Sequence, residues 1–130
     1  MAVRRMFSKG VICSDAFMRL PAAARTLYIV LNMHADDDGF VDNVQTIMRM
    51  TKATNCDLTR LIEAGLVIRF SNGVAVITHW RIHNLIRKDR YTPTQYPELL
   101  ASLNRTNGVY SLAPIPAPQW RPTAAEGKVR

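Results

Sequence analysis

The clearest pattern of apolar positions in this chain begins at Leu20. Apolar residues then recur every three or four positions, the spacing that places side chains on one face of an α-helix; they are Leu20, Ala24, Leu27, Leu31 and Ala35. Pro21 suits the first position of such a helix, where a backbone N–H is not needed. The pattern therefore predicts the main core helix of the fold.

A shorter amphipathic helix is predicted after Ala53. Thr54 and Asp57 stand three residues apart, which fits a capping box in which each side chain binds the backbone N–H of the other. The apolar positions Leu58, Leu61 and Ile62 are expected to face inward. The polar residues expected on the outer face are Asn55, Thr59, Arg60 and Glu63. Gly65 is expected to end the helix in the left-handed conformation.

A β-hairpin is predicted directly after this helix. The runs Leu66–Phe70 and Val74–Trp80 are rich in apolar and β-branched residues, and Ser71-Asn72-Gly73 joins them. An Asn-Gly pair between two such runs is a strong hairpin signal. The turn is short, so we expect it to contact little of a DNA groove. A second Asn-Gly turn, Asn107-Gly108, precedes a predicted strand at Val109–Leu112.

The order of these elements predicts the fold class. A helix capped by Asp42 or Asn43 and a short strand at Phe40 and Val41 complete the set before the hairpin. We predict an α+β protein with a winged helix-turn-helix, in which a three-helix core carries a short hairpin wing and a C-terminal extension. The winged-helix domain is expected over residues 1–112, with a basic extension at 81–96. The Pro-rich segment 113–130 is predicted to be a disordered or linker-like tail.

The composition favours a polyanionic partner. The chain has 130 residues with 17 Lys and Arg against 10 Asp and Glu, a formal charge of +7. Such a basic balance in a small domain is typical of nucleic-acid binding. The N-terminus lacks the apolar core of a signal peptide, so we expect a cytoplasmic protein. Cys13 and Cys56 are far apart without a CxxC motif, and buried reduced thiols are the favoured interpretation.

Two stretches contain the candidate DNA-binding residues. On the third helix, Asn55 and Arg60 have side chains suited to adenine and guanine, and Lys52 could bind a phosphate. After the hairpin, residues 81–91 form a segment that we call the basic segment. It combines phosphate-binding charge with a tyrosine that could stack on a base. The complete set is Lys52, Asn55, Thr59, Arg60, Arg69, Asn72, Arg81, Arg87, Lys88, Arg90 and Tyr91.

Metal binding and catalysis are not favoured by the residue spacing. Asp36, Asp37 and Asp38 resemble the opening of a calcium loop, but position twelve is Ile47 rather than Glu, so a solvated turn is expected. His79, expected in a strand, and His83 lack the second ligand pair of a zinc site. No phosphate-binding Gly loop, nucleophile elbow or convergent carboxylate pair is present. We expect no enzymatic activity and no cofactor.

Three long motifs carry a family resemblance. They are RRMFSKGVICSDAF at Arg4–Phe17, LPAAARTLYIVLNMHADDDGFVDN at Leu20–Asn43 and VAVITHWRIHNLIRKDRYTPTQY at Val74–Tyr96. In these the chain resembles the N-terminal domain of phage replisome organisers, which are similar to the DnaD-like primosomal proteins. The resemblance implies a winged helix that binds origin DNA, recruits helicase-loading or other replication proteins, and often forms homo-oligomers.

Two alternatives of other kinds stay open. Winged helices also serve as protein-interaction or oligomerisation modules, which would work through an apolar surface rather than a basic one. A phage transcriptional regulator would share the fold and the DNA-binding chemistry. The residues leave open whether the DNA is duplex or single-stranded.

Overall fold

The computed structural model describes residues 5–84, 86 and 88–112 of the chain. These residues form an α+β fold with seven α-helices and two small antiparallel sheets, which confirms the predicted class. The helices are α1 Lys9–Ile12, α2 Asp15–Met18, α3 Ala22–His34, α4 Val44–Thr51, α5 Asn55–Glu63, α6 Trp80–His83 and α7 Pro97–Ala101. The strands are β1 Phe40–Val41, β2 Val67–Arg69, β3 Ala75–Ile77, β4 Leu103–Thr106 and β5 Val109–Leu112. The predicted tail at 113–130 lies outside the described residues.

The central helix α3 confirms the prediction made from the apolar stripe. Ala24, Leu27 and Leu31 are fully buried, and α3 packs against both α4 and α5. Pro21 lies one position earlier than expected, as the N-cap residue, with an extended backbone. Boundaries of this kind commonly differ by one residue. The core of the domain is therefore centred on α3.

Helix α5 begins with the predicted capping box. The Thr54 N–H donates to Asp57 Oδ2 at 2.9 Å, and the Asp57 N–H donates to Thr54 Oγ1 at 3.3 Å. Leu58 and Leu61 are buried as predicted, whereas Ile62 is 37 % exposed. The prediction for Ile62 was wrong because Asp57, Leu58 and Leu61 form the buried face of α5, and the helical period places Ile62 at the edge of that face.

The two sheets are both built from hairpins. In the first sheet the strand order is β1-β3-β2, with Phe40 opposite Val76 and Arg69 opposite Ala75. In the second, Leu103 lies opposite Leu112 and Thr106 opposite Val109. Asn107 and Gly108 both have positive φ, 54° and 83°, as a type I′ turn requires. Both Asn-Gly turns are confirmed. Leu103, the first residue of β4, is buried in the core.

Tyr110 anchors the second sheet to the rest of the domain. The Tyr110 N–H donates to Thr78 O at 2.8 Å, and its hydroxyl donates to Asp38 O at 2.9 Å. Tyr110 is itself 1 % exposed. Burying an aromatic ring while pairing its hydroxyl makes such a side chain an effective anchor. The C-terminal extension is thus attached to the core over at least residues 103–112.

Two expectations from the sequence were wrong. Cys13 and Cys56 are both exposed free thiols rather than buried ones; Cys13 is the C-cap residue of α1, and Cys56 lies on the exposed face of α5. His79 is not in a strand, since β3 ends at Ile77 and His79 is the N-cap residue of α6. Within residues 5–84, 86 and 88–112, no helix has both the length and the apolar character needed to cross a membrane.

Candidate nucleic-acid interface

The outer face of α5 is polar and exposed, as predicted. Asn55, Thr59 and Glu63 are all exposed, and in the described part of the chain none of their side chains has a hydrogen-bond partner. Arg60 is half exposed and lies 3.7 Å from Asp57 Oδ1. Ion pairs of this length and exposure are weak, so the Arg60 guanidinium can exchange this partner for another.

Lys52 immediately precedes this face. It is the C-cap residue of α4 and has a positive φ of 59°. Its side chain is exposed and, among the described residues, makes no ion pair. A left-handed lysine is uncommon, since most non-glycine side chains avoid this conformation. The tight connection from α4 to α5 therefore presents a cation beside the first turn of α5.

Arg69 and Asn72 lie at the turn of the first hairpin. Asn72 Oδ1 accepts the Val74 N–H at 3.1 Å, so this amide helps to form the turn. Both residues line a shallow cleft of about 400 Å³ together with Asp42 and the start of α4. The Asp42 carboxylate in this cleft opposes the approach of a phosphate.

Arg81 and Tyr91, from the predicted basic segment, both contact one buried carboxylate. Arg81 Nη2 lies 3.3 Å from Asp38 Oδ1, and the Tyr91 hydroxyl donates to Asp38 Oδ2 at 2.6 Å. The Thr94 N–H donates to the same oxygen at 2.9 Å. The Asp38 side chain is 0 % exposed, and a buried carboxylate requires such partners. Partial burial and the bond to Asp38 raise the pKa of Tyr91 to about 12.

The neighbouring aspartates complete an internal hub, hereafter the aspartate hub, which consists of Asp36, Asp37 and Asp38. Asp36 Oδ2 accepts the Thr94 hydroxyl at 2.6 Å, and Asp37 Oδ2 accepts the Thr92 N–H at 2.9 Å. The predicted solvated turn was therefore wrong. Its partners lie up to 58 residues away in sequence, so no local pattern could reveal them. Within the described residues, no group of His, Cys, Asp and Glu is placed to hold a metal ion.

The segment after Tyr91 runs along the edge strand β1. Tyr96 packs on Phe40 with ring centroids 6.2 Å apart, and its hydroxyl donates to Asp42 at 2.9 Å. We call residues 91–96 the strap. The strap thus contacts side chains at both β1 and the residue that follows it, and β1 is an edge of the sheet.

Lys88 and Arg90 differ from the rest of the basic segment. They lie on the 3-10 turn Lys88–Arg90 and are exposed, and neither side chain has a partner among the described residues. Arg87, also predicted as a site residue, lies outside the described residues. The basic segment thus contains two kinds of residue, some tied to the aspartate hub and some open to solvent.

The structure does not bring the candidate residues into one cluster. Arg69 pairs with Ala75 beside the hairpin turn, whereas Val67 pairs with Ile77 at the other end of the sheet. The cleft lined by Arg81, Lys88 and Tyr91 also contains Trp80, which follows that second end. The hairpin residues and the basic segment therefore lie at opposite ends of the first sheet.

The N-terminal residues are attached to α6 by a buried network that the sequence did not reveal. The Ser8 N–H donates to His83 Nδ1 at 2.7 Å, and His83 Nε2 lies 2.6 Å from the Tyr28 hydroxyl. Because Nδ1 accepts, neutral His83 has its proton on Nε2 and donates it to Tyr28. Burial, and secondly the charge of His79, lower the pKa of His83 to about 4. Burial also raises the pKa of Tyr28.

A cation also joins the N-terminal residues to the aspartate hub. Arg5 Nη1 lies 3.5 Å from Asp37 Oδ1, and Arg5 Nη2 donates to Ala35 O at 2.7 Å. Its guanidinium lies 4.9 Å from the centre of the Trp80 ring, a favourable cation–π geometry. Arg5 therefore has a structural role. Arg5 and its partner Ala35 are 30 positions apart in sequence, so no local sequence signal indicated this role.

The chain matches no protein-family model, no curated protein and no solved structure.

Proposed function

We propose that this chain is a non-enzymatic DNA-binding protein of phage or prophage replication initiation, with a winged helix-turn-helix as its DNA-binding unit. The observation that carries the proposal is the outer face of α5. Lys52, Asn55 and Thr59 are exposed there and make no side-chain hydrogen bond within the described residues. A recognition helix needs exposed polar side chains that are free to bind DNA. The outer face of α5 offers such side chains in a chain of formal charge +7.

The element order supports the winged-helix part of this proposal. Helix α3, strand β1, helices α4 and α5 and the β2–β3 hairpin follow one another, and β1 joins the hairpin as a third antiparallel strand. In this arrangement α5 follows a tight turn after α4, where a recognition helix stands. The hairpin would be the wing. It is short, and Asn72 is already engaged in its turn, so we assign it a minor share of the contacts.

The contacts we propose divide into two kinds. Asn55 and Arg60 have the amide and guanidinium groups that recognise adenine and guanine edges. Lys52, Lys88 and Arg90 would bind phosphates, which adds affinity without sequence preference. Glu63 on the same helix face works against close phosphate approach. Arg81 and Tyr91 would contribute while remaining bonded to Asp38.

The replication setting comes from the motif resemblance. Replisome organisers act at phage origins in the cytoplasm, and we propose helicase-loading or other replication proteins as further partners. A phage transcriptional regulator would use the same helix face on a different site. Selecting bound sequences from random duplex DNA separates these roles, because an origin and a promoter operator occupy different places in a phage genome.

One observation favours a second candidate, a protein-interaction or oligomerisation module. Several large apolar side chains are exposed, among them Met6, Met18, Ile29, Met33 and Met50. Exposed apolar groups that lie close together mark interaction surfaces. Ile29 and Met33 lie one helical turn apart on α3 and therefore share a face. This module would form a dimer or a partner complex and would show no salt-sensitive DNA affinity.

Duplex DNA titrations over a range of salt concentrations test the proposal. Wild-type protein should bind with an affinity that falls linearly on a log–log plot against salt. Lys52→Gln should reduce the slope by about one unit, and Asn55→Ala should relax sequence preference at one position. Arg19→Gln, an exposed arginine that ends α2, removes the same charge as a control. Equal effects of Lys52→Gln and Arg19→Gln, or no DNA binding at low salt, would rule out the α5 interface.

A further inference from the structure

A cleft of about 410 Å³ lies between α6 and the 3-10 turn. This volume falls within the range of small-ligand pockets, roughly 300–1,000 Å³. Its walls include aromatic, cationic and amide side chains, namely Trp80, Arg81, Asn84, Lys88 and Tyr91, together with Asp37. None of these residues belongs to α5 or to the hairpin, so the cleft is separate from the α5 face. It shares Arg81, Lys88 and Tyr91 with the other DNA contacts proposed above.

The amide of Asn84 is the most informative group in this cleft. Asn84 is 6 % exposed, and its Oδ1 accepts the Met6 N–H at 2.9 Å. That bond orients the amide, because only the oxygen can accept. Nδ2 is buried and has no hydrogen-bond partner in the described part of the chain. A buried donor without an acceptor is unfavourable, so the cleft is suited to a ligand that brings an acceptor.

The aromatic walls of the cleft are held in place. The Tyr91 ring is 37 % exposed, and the bond from its hydroxyl to Asp38 at 2.6 Å fixes its orientation. Trp80 is 1 % exposed and donates its indole N–H to Asp37 O at 2.9 Å. Tyr91 is therefore an accessible ring with a fixed orientation. Trp80 lines the same cleft but is buried. A planar ligand that stacks on Tyr91 loses little protein entropy.

The charges of the cleft favour an anionic group on that planar ligand. Lys88 is exposed and without a partner among the described residues, and the Arg81 side chain is 37 % exposed beside it. Asp37 also lines the cleft, and both of its carboxylate oxygens are already engaged, with Arg5 and with the Thr92 N–H. Arg81 is paired with Asp38, so Lys88 is the main cation that can meet an anionic group, with the Arg81 guanidinium beside it.

We propose that this cleft binds one nucleotide unit of single-stranded DNA. The base stacks on Tyr91, one of its carbonyl oxygens accepts from Asn84 Nδ2, and the phosphate lies against Lys88 and Arg81. This combination of an aromatic platform with neighbouring cations is how single strands are held without strict sequence preference. The inference deepens the proposed DNA-binding function and rests on it for the source of the nucleotide, a strand rather than a free mononucleotide.

Two measurements test the cleft. In the first, a labelled short oligothymidine is titrated into wild-type protein and into Tyr91→Leu, Lys88→Gln and Asn84→Asp variants. Tyr91→Leu should weaken binding on the order of tenfold by loss of stacking. Asn84→Asp keeps the acceptor for the Met6 N–H but replaces the donor with a negative oxygen, so it should weaken binding as well. Tyr96→Leu, which removes another strap tyrosine, and Arg19→Gln, which removes an exposed cation after α2, serve as matched controls and should bind the oligothymidine nearly as wild type does.

In the second measurement, the side-chain amide resonances of Asn84 are followed by NMR. They should shift with thymidine monophosphate and with the oligothymidine, but not with inorganic phosphate. An equal shift with inorganic phosphate would reduce the cleft to a simple anion site and overturn the proposal. No shift with either nucleotide probe would also overturn it. Since Lys88 is exposed, Lys88→Gln remains informative even if Tyr91→Leu unfolds the domain.

The outcomes separate the cleft from the proposed function. If duplex binding through α5 persists while Tyr91→Leu and Asn84→Asp bind the oligothymidine as wild type does, the cleft inference fails alone. If the monophosphate shifts Asn84 but no DNA binds at any salt concentration, the DNA-binding proposal fails together with the assignment of the cleft to a strand, and the cleft is reduced to a mononucleotide site.

Discussion

The Tyr91 hydroxyl donates a 2.6 Å hydrogen bond to the fully buried carboxylate of Asp38. The two residues are 53 positions apart in sequence. Through this contact, and through Arg81 on the other oxygen of the same carboxylate, the loop after the core helix holds the basic segment and the strap against the sheet. A charged loop that appears solvated in the sequence is thus an internal attachment point for the C-terminal third of the domain.

Asp38→Ala is expected to be strongly destabilising. The change leaves Arg81, the Tyr91 hydroxyl and the Thr94 N–H without their shared acceptor. Removing one partner of a buried charged pair typically costs about 3–5 kcal/mol. Urea unfolding measures the loss. Asp42→Ala is the matched control, because Asp42 is exposed and accepts the Tyr96 hydroxyl, and it should cost about 1 kcal/mol or less. Equal losses for the two variants would contradict the role of Asp38.

Stability should fall as the pH drops from about 7 toward 4. Burial lowers the pKa of His83 to about 4, whereas an unfolded histidine titrates near 6.5. Between these values the unfolded state binds more protons than the native state, so acid favours unfolding. The pH-dependent contribution of His83 to the free energy of unfolding is fully present above about pH 6.5, and it amounts to at most about 3 kcal/mol. His79 acts in the same direction, since burial lowers its pKa.

The pH effect is assigned to His83 by comparing variants. Urea midpoints of wild type, His83→Gln and His34→Gln are measured across this pH range. His83→Gln should be less stable at pH 7 and should lose less stability on acidification. His34 is exposed at the end of α3, so its variant should follow wild type. A wild-type pH dependence retained by His83→Gln would exclude His83 as its source.

Gly39→Ala should destabilise the domain more than Gly65→Ala. Both glycines have positive φ, 91° and 76°, so both substitutions carry the backbone cost of about 1 kcal/mol. At Gly39 a Cβ would also lie 2.7 Å from Trp80 Cγ, whereas at Gly65 it would meet nothing within 4 Å. Overpacking of this kind adds about 1–3 kcal/mol. Thermal unfolding of the two variants compares them, and equal shifts in Tm would argue against the contact with Trp80.

Both cysteines should react in the native protein. Cys13 and Cys56 are exposed free thiols, and accessible thiols are open to disulfide reagents. Titration with a chromogenic thiol reagent should release two equivalents per chain without denaturant, and Cys56→Ser should lower this to one. Cys56 lies on α5, so bound duplex DNA should slow its reaction and leave Cys13 unaffected. Thiols that react only in urea would show that they are buried.

Much of the local structure could be predicted because its causes are local. The apolar stripe through Leu27 and Leu31 determines where α3 lies, the Thr54–Asp57 pair begins α5, and the glycines after Asn72 and Asn107 permit the two turns. Each of these signals involves residues within a few positions of one another. The exposure of Asn55, Thr59 and Arg60 follows from the same helical period, which is why the outer face of α5 was predicted correctly.

The sequence by itself determined the α+β class, the order of the elements and the polar face of α5, since periodicity and turn chemistry act over a few residues. Only the tertiary structure decided that Asp38 is buried, that Arg81 and Tyr91 bind it, and that Lys88 and Arg90 remain open to solvent. The tertiary structure also decided that His83 is buried and that both cysteines are exposed. These outcomes depend on which distant segments dock together. The sequence does not show whether a charged side chain forms its hydrogen bonds with water or with a partner about 50 residues away.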